Sequence, residues 1–319
     1  MRSIGEPTSE AAKVLAGVLS SRVDADKAAY LIQDSAMTGA RYGLGIDMEG
    51  LLSSLTCPSA DDLARHGKPA LGIRERGLSA AESMILARYW MIRRVYWHHT
   101  NRALMAAFKY VIALLAARDG FQFADYLREN LAAGERQAMS WLYDAVERFR
   151  VSPAASDAER NMRNPLEAMV RGDRLPYRRF VILEHGDPST ESLDHQIYKA
   201  IEKKTPSELL DLGHELGRMI GDLAPGLVVR SGDVLVDLPM RKRELSGGLT
   251  FVYGDTGDEQ LGELMHVSPL LKGWQAEFDM HAKRCRVFIH PEVDEALGAR
   301  AEEARREVKK WLAYRLRVA

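Results

Sequence analysis

Apolar residues recur at helical spacing through residues 1–175, and at residue 176 the pattern changes. That switch constrains the fold more than any other feature, because a 3.6-residue period builds helices and β-branched runs between turn residues build strands. The spacing predicts helices over 11–19 and 24–38, with Gly39 placed to end the second in the left-handed conformation. Asp47 suits the N-cap of a third segment carrying Leu51, Leu52 and Leu55, which Pro58 ends. Residues 67–73 read as a short strand or a loop. Ser79–Ala80–Ala81–Glu82 has the form of a capping box, expected to open a long helix that nothing stops before Asp119–Gly120. Further helices are expected over 121–132, 135–150 and 165–170. Beyond residue 176, Val-, Ile- and Phe-rich runs predict strands over 179–184, 226–230, 234–238, 249–253 and 285–289. Helices are expected over 192–203, 207–223 and 291–316. The expected fold class is a mainly α N-terminal half followed by an α+β C-terminal region with a small mixed or antiparallel sheet. The domains divide as 1–175 and 176–319, and no internal repeat is present.

Composition narrows the function. The 319 residues carry 44 basic and 45 acidic side chains, for a net charge of −1, and 46 % are hydrophobic. Such a chain folds, and it lacks the net positive field of a polybasic nucleic-acid or membrane binder. The basic clusters Arg178–Arg179 and Arg241–Lys242–Arg243 read as solvated faces, or as anchors for an allosteric nucleotide or a subunit interface. Cys57 and Cys285 are too few for a disulfide framework and belong to no CxxC pair, which suits a reducing compartment. The first residues are polar, and the longest apolar stretch, 103–117, is interrupted by Lys109 and is shorter than a membrane span. A cytoplasmic protein with no membrane partner is expected.

The segment 24–34 is the most informative for chemistry. On a helix, Asp26, Tyr30 and Asp34 stack along one face at four-residue spacing, with Lys27 beside them and Leu31 turned to the core. Two carboxylates, a phenol and an ammonium suit a polar pocket for a hard metal ion, a phosphate and sugar hydroxyls. They equally suit a solvent face, and spacing alone leaves both readings open. Arg88, Ile92, Tyr96 and His99 also follow helical spacing, placing a phosphate-binding guanidinium near a flat aromatic wall.

The order Asp26–Lys27–x–x–Tyr30–Leu31–x–x–Asp34, then Thr38–Gly39 and Tyr42–Gly43, resembles the HD-domain phosphohydrolases. The branch it is most similar to is the deoxynucleoside triphosphate triphosphohydrolases. Residues 72–82 (GIRERGLSAAE), Ala87–Arg88–Tyr89 and Val95–Tyr96–Trp97–His98 agree in order, as do Val234–Leu235–Val236–Asp237–Leu238–Pro239 and Ser268–Pro269–Leu270. The resemblance implies that residues 1–175 are the later part of an HD-type helical domain. It implies a divalent metal (Mn, Mg, Fe or Zn) with Asp26 as one ligand, and Lys27 and Arg88 on the phosphates of a deoxynucleotide. Tyr30 and Asp34 would read the sugar 3′-hydroxyl, while Tyr96 would border the sugar and base. A homo-oligomer, or a partner chain supplying further ligands, is also implied.

The chain departs from that pattern where the metal is concerned. The family holds its metal with a His, a His–Asp pair and a later Asp, but here no histidine precedes His66 and no His–Asp dipeptide occurs. Three of the family's four ligands are therefore absent from this sequence, which reads as an HD domain without its first part. Ala29 and Gln33 also stand where the family usually has an acid and an arginine. Among the nine histidines, His185 and His195 are the one pair placed to suggest a substitute metal site. Walker, GxGxxG, HExxH and GxSxG motifs are missing. Two functions are expected from these residues. One is a metal-dependent phosphohydrolase converting dNTP to deoxynucleoside and triphosphate, incomplete as given. The other is a non-catalytic scaffold that binds a nucleotide or a partner.

Overall fold

The computed structural model describes residues 9–117, 122–130, 135–171, 173, 177–185, 192–224, 226–239, 248–257, 259–274, 278 and 282–318. The chain forms two compact units: residues 1–98 with 241–282, and residues 99–240 with 283–319. Helix predominates, and the two small sheets are one mixed and one antiparallel. Among the described residues no helix is long and apolar enough to cross a membrane.

In the first unit, α1 (Glu10–Leu19) starts at Ser9, whose hydroxyl accepts from the Ala12 amide. Helix α2 (Ala25–Thr38) is capped by Asp24, and Gly39 closes it at φ 70° as its sequence position predicts. A 3-10 turn, Tyr42–Gly45, leads to α3 (Met48–Ser54), capped by Asp47 as expected. Strand β1 (Leu55–Thr56), α4 (Ala60–His66), β2 (Ala70–Arg74) and α5 (Leu78–Met91) follow. The segment left open at 67–73 thus contributes a strand. Strands β5 (Leu249–Tyr253) and β6 (Gln260–Glu263) and the short helix α13 (Leu264–Val267) complete the unit. The sheet order is β1-β2-β5-β6, with β2 and β5 parallel and the outer pairs antiparallel. Leu31, Leu51, Ile73, Met84, Val252 and Leu264 form its core, pinning α2, α3 and α5 to the sheet.

The second unit begins with α6 (His99–Ala116), α7 (Phe123–Asn130), α8 (Glu135–Arg150) and the short α9 (Asp157–Arg160) and α10 (Glu167–Val170). Strand β3 (Arg178–Glu184) is followed by α11 (Leu193–Glu202), α12 (Pro206–Asp222) and β4 (Val234–Asp237). After β7 (Arg284–Ile289) come α14 (Pro291–Leu297) and α15 (Ala301–Leu316). The sheet is antiparallel in the order β3-β7-β4, and Leu183, Ile197, Leu216, Val287, Val308 and Leu312 are buried in its core.

Several local expectations change. Ser79 is not an N-cap: a 3-10 turn at Glu75–Gly77 already leads into α5, and Glu82 accepts from the Ser268 hydroxyl instead. The long helix is broken. A π-helical turn, Ile92–Tyr96, ends α5, and α6 restarts at His99. Residues 226–230 are apolar enough for a strand but pair with nothing in either sheet. The last helix divides at Gly298, whose φ of 50° turns the chain between α14 and α15. The expected turn at Asp119–Gly120 and the Arg241–Lys242–Arg243 cluster lie outside the described residues.

Candidate functional site

In the first unit, α2 buries Ala28, Leu31 and Ser35 and leaves Tyr30 and Asp34 half-buried on a neighbouring face. Helix α5 buries Met84, Ile85, Ala87, Tyr89 and Met91, and Arg88 is half-buried. The π turn then widens the helix. The Trp97 amide reaches the Ile92 carbonyl at 2.7 Å, spanning five residues instead of four. Such extra-residue turns recur at functional positions because they re-aim the side chains that follow. Here Tyr96 meets α2: its hydroxyl donates to Asp34 Oδ2 at 2.6 Å, and its ring stands edge-on to Tyr30 with centroids 6.2 Å apart.

Arg88 closes the group. Its guanidinium lies near the Tyr30 phenol and acts on it electrostatically, and its Nε is buried with no hydrogen-bond partner. Burial is the main cause that raises the Tyr30 phenol above its ordinary value, opposed by the Arg88 charge. Burial also pushes Tyr96 far up, reinforced by its bond to the Asp34 carboxylate. Both phenols are therefore neutral at physiological pH, and Tyr96 is the donor in its bond to Asp34. The cluster offers a carboxylate acceptor, a guanidinium and two aromatic faces. That set can hold a polyol hydroxyl beside an oxyanion.

Four of the six candidate residues, Tyr30, Asp34, Arg88 and Tyr96, thus come together. The other two do not join them. Lys27 turns back to pair with Asp24, and Asp26 is exposed one turn before Tyr30. Among the described residues no three His, Cys, Asp or Glu side chains lie close enough to hold a metal ion. Asp26 belongs to no such group, so the described residues do not fit a divalent metal. His185 and His195 meet edge to face at 5.2 Å, with His195 Nδ1 against the His185 carbonyl oxygen, and among the described residues they belong to no group of three ligands that could hold a metal ion.

Asp24 has a part in this region that the sequence did not reveal. Its side chain is buried, accepts from the Lys27 amide at 2.8 Å as an N-cap, and holds the Lys27 ammonium. Asparagine keeps the cap but not the ion pair, whereas alanine loses both. We expect Asp24→Ala to cost about 2 kcal/mol, roughly half of it the cap. Asp24→Asn should cost about half as much. Urea unfolding of the two variants checks this, and equal losses would mean that the ion pair, not the cap, carries the effect.

A family model described as the HD associated region matches residues 46–130. The uncharacterized protein MJ1154 of Methanocaldococcus jannaschii is 40 % identical over 85 residues, 27 % of this chain and 18 % of that protein. The uncharacterized protein YwfO of Bacillus subtilis is 35 % identical over 91 residues, 28 % of this chain and 19 % of that protein. The chain therefore spans less than one fifth of the length of either relative in these matches. Arg88 and Tyr96 fall inside the matched region, while Asp26, Lys27, Tyr30 and Asp34 precede it. Over residues 46–130 this chain is similar to the HD associated region, which points to a relation with HD-domain proteins.

Proposed function

We propose that this chain supplies the sugar- and phosphate-binding wall of an HD-type phosphohydrolase of the deoxynucleoside triphosphate triphosphohydrolase branch. The observation that carries the reading is the convergence of Arg88 and Tyr96 on Tyr30 and Asp34. Asp34 would accept from a sugar 3′-hydroxyl and Arg88 would take a phosphate through its unpartnered Nε, with Tyr96 flat against the sugar. Lys27 would have to leave Asp24 to join them. Hydrolysis would need metal ligands beyond Asp26, contributed by a partner chain in the cytoplasm. The lone Asp26 also favours a second reading, a nucleotide-binding scaffold without hydrolysis. Both readings require the same pocket.

The test is equilibrium binding of dATP and dGTP to the full chain without metal, beside the 2′,3′-dideoxy analogues. Arg88→Gln should weaken deoxynucleotide binding at least about tenfold, the loss of one charge-assisted hydrogen-bond set. Asp34→Asn should remove the preference for nucleotides bearing the 3′-hydroxyl. Equal binding by wild type and Arg88→Gln would overturn the assignment of this pocket. Triphosphate release on adding Mn²⁺, if lost in Asp26→Ala, separates the two readings in favour of hydrolysis.

A further inference from the structure

Helix α12 and the loop after it enclose a cleft of about 430 Å³ in the second unit, lined by Asn161, His214, Arg218, Val228, Arg230 and Ser231 among others. Its lining contains no acidic side chain. Arg218 and Arg230 are exposed and make no ion pair among the described residues. The acid nearest Arg218 in sequence, Glu215, is committed to Arg315 through bonds of 2.6 and 2.9 Å. Two guanidinium groups thus stand at one opening; Glu215 and Glu292 act on them only through space, and neither lines the cleft.

The cleft is also built in advance of any ligand. Asp233 accepts from the Arg230 amide at 2.8 Å and is itself held by Arg163, whose own amide donates to the Ser231 carbonyl at 2.8 Å. The Tyr177 hydroxyl fixes the next carbonyl, that of Gly232, at 2.5 Å. The loop bearing Arg230 and Ser231 is therefore tied from two sides, which lowers the ordering cost of binding. On the helix, His214 Nε2 lies 2.7 Å from the Tyr110 hydroxyl, leaving the other ring nitrogen without a partner among the described residues. Burial lowers the affinity of His214 for a proton, so the ring is neutral at pH 7 and contributes a polar nitrogen and no charge. Val228 is 75 % exposed and gives the opening an apolar wall.

We infer that this cleft binds a phosphomonoester with an apolar or planar substituent: the phosphate lies between Arg218 and Arg230, and the substituent lies against Val228. Guanidinium pairs suit the tetrahedral dianion because each presents two parallel donors to two oxygens. The site belongs to the second unit and shares no residue with the Tyr30–Arg88 cluster.

Phenyl phosphate and inorganic phosphate are the probes, titrated into the full chain at pH 8 while the His214 ring resonances are followed by NMR and the heat of binding is measured. Phenyl phosphate should move the His214 resonances and bind several-fold more tightly than inorganic phosphate. Arg218→Gln and Arg230→Gln together should weaken it at least tenfold. Both arginines are exposed, so the thermal midpoint of that variant should match wild type, and either single variant should show a partial loss. Arg88→Gln should leave the phenyl phosphate titration of the His214 resonances unchanged, which separates this cleft from the nucleotide pocket. Stationary His214 resonances at saturating phenyl phosphate, or equal affinity in the double variant, would overturn the inference.

Discussion

Replacing Asp237 with alanine is expected to destabilise the second unit by about 3–5 kcal/mol, the range for removing one partner from a buried ion pair. Its carboxylate is fully buried on β4 and takes both prongs of Arg102 at 2.6 and 2.7 Å. Lys109 reaches the same carboxylate at 3.2 Å and anchors to the Leu238 carbonyl at 2.8 Å. Across the sheet, Arg286 stands opposite Asp237 in register. Burial pushes the Arg286 guanidinium down to about 10, the nearby Arg102 charge adds to this, and Asp237 opposes it. One carboxylate thus lies among three cations, two of them buried. Without it, Arg102 and Arg286 face each other's charge in a medium that solvates neither. The unfolding midpoint should fall by roughly 10 °C, at about 2–4 °C per kcal/mol for a unit of this size. Asp237→Asn keeps the shape and one acceptor but not the charge, and should lose most of the same stability. A loss below about 1 kcal/mol in Asp237→Ala would mean that the cations find water or other partners without it.

The sequence showed Asp237 as part of a strand and of a block that matches the family, but not its ion pairs, because the cations around it come from residues 102, 109 and 286. The same division runs through the chain. Helix α2 was legible because its signals are local: apolar residues at helical spacing and a glycine at the left-handed position. Strands β4, β5 and β7 were legible for the same reason. The break at Trp97–His98 was not, because residues 92–100 contain neither glycine nor proline and the π turn is a tertiary accommodation. Residues 226–230 have strand composition, yet strand identity depends on a neighbour with a free edge. In the candidate site, the four-residue spacing placed Tyr30 and Asp34 on one helix face. The Tyr96–Asp34 bond and the approach of Arg88 to Tyr30 close over some sixty residues, beyond the reach of any helical period. Lys27 was expected to face a phosphate because nothing in the sequence told that Asp24 is buried beside it.

Gly43→Ala is expected to abolish deoxynucleotide binding and to cost about 3 kcal/mol, the upper part of the range for overpacking a tight contact. A Cβ at residue 43 would lie 2.1 Å from the Leu31 carbonyl oxygen and 2.6 Å from the Ser35 hydroxyl, both on α2. The carbonyl belongs to the helix backbone and cannot rotate away. The Gly43 amide also donates to Ser35 Oγ at 2.7 Å, a bond that a displaced turn would lose. The turn touches both helices of the site, because its Tyr42 ring stacks on Trp90 of α5 at 6.0 Å. Making room for the methyl group therefore spreads α2 from α5, and with them Asp34 from Tyr96 and Tyr30 from Arg88. Gly45, two residues on in the same turn, provides the control: a Cβ there meets nothing within 4 Å. Gly45→Ala should stay within about 0.5 kcal/mol of wild type and bind as it does. Urea unfolding and dGTP titration of the two variants side by side separate close packing at one glycine from a general intolerance of the turn. If Gly43→Ala unfolds and binds like Gly45→Ala, the approach of the turn to α2 does not hold the pocket together.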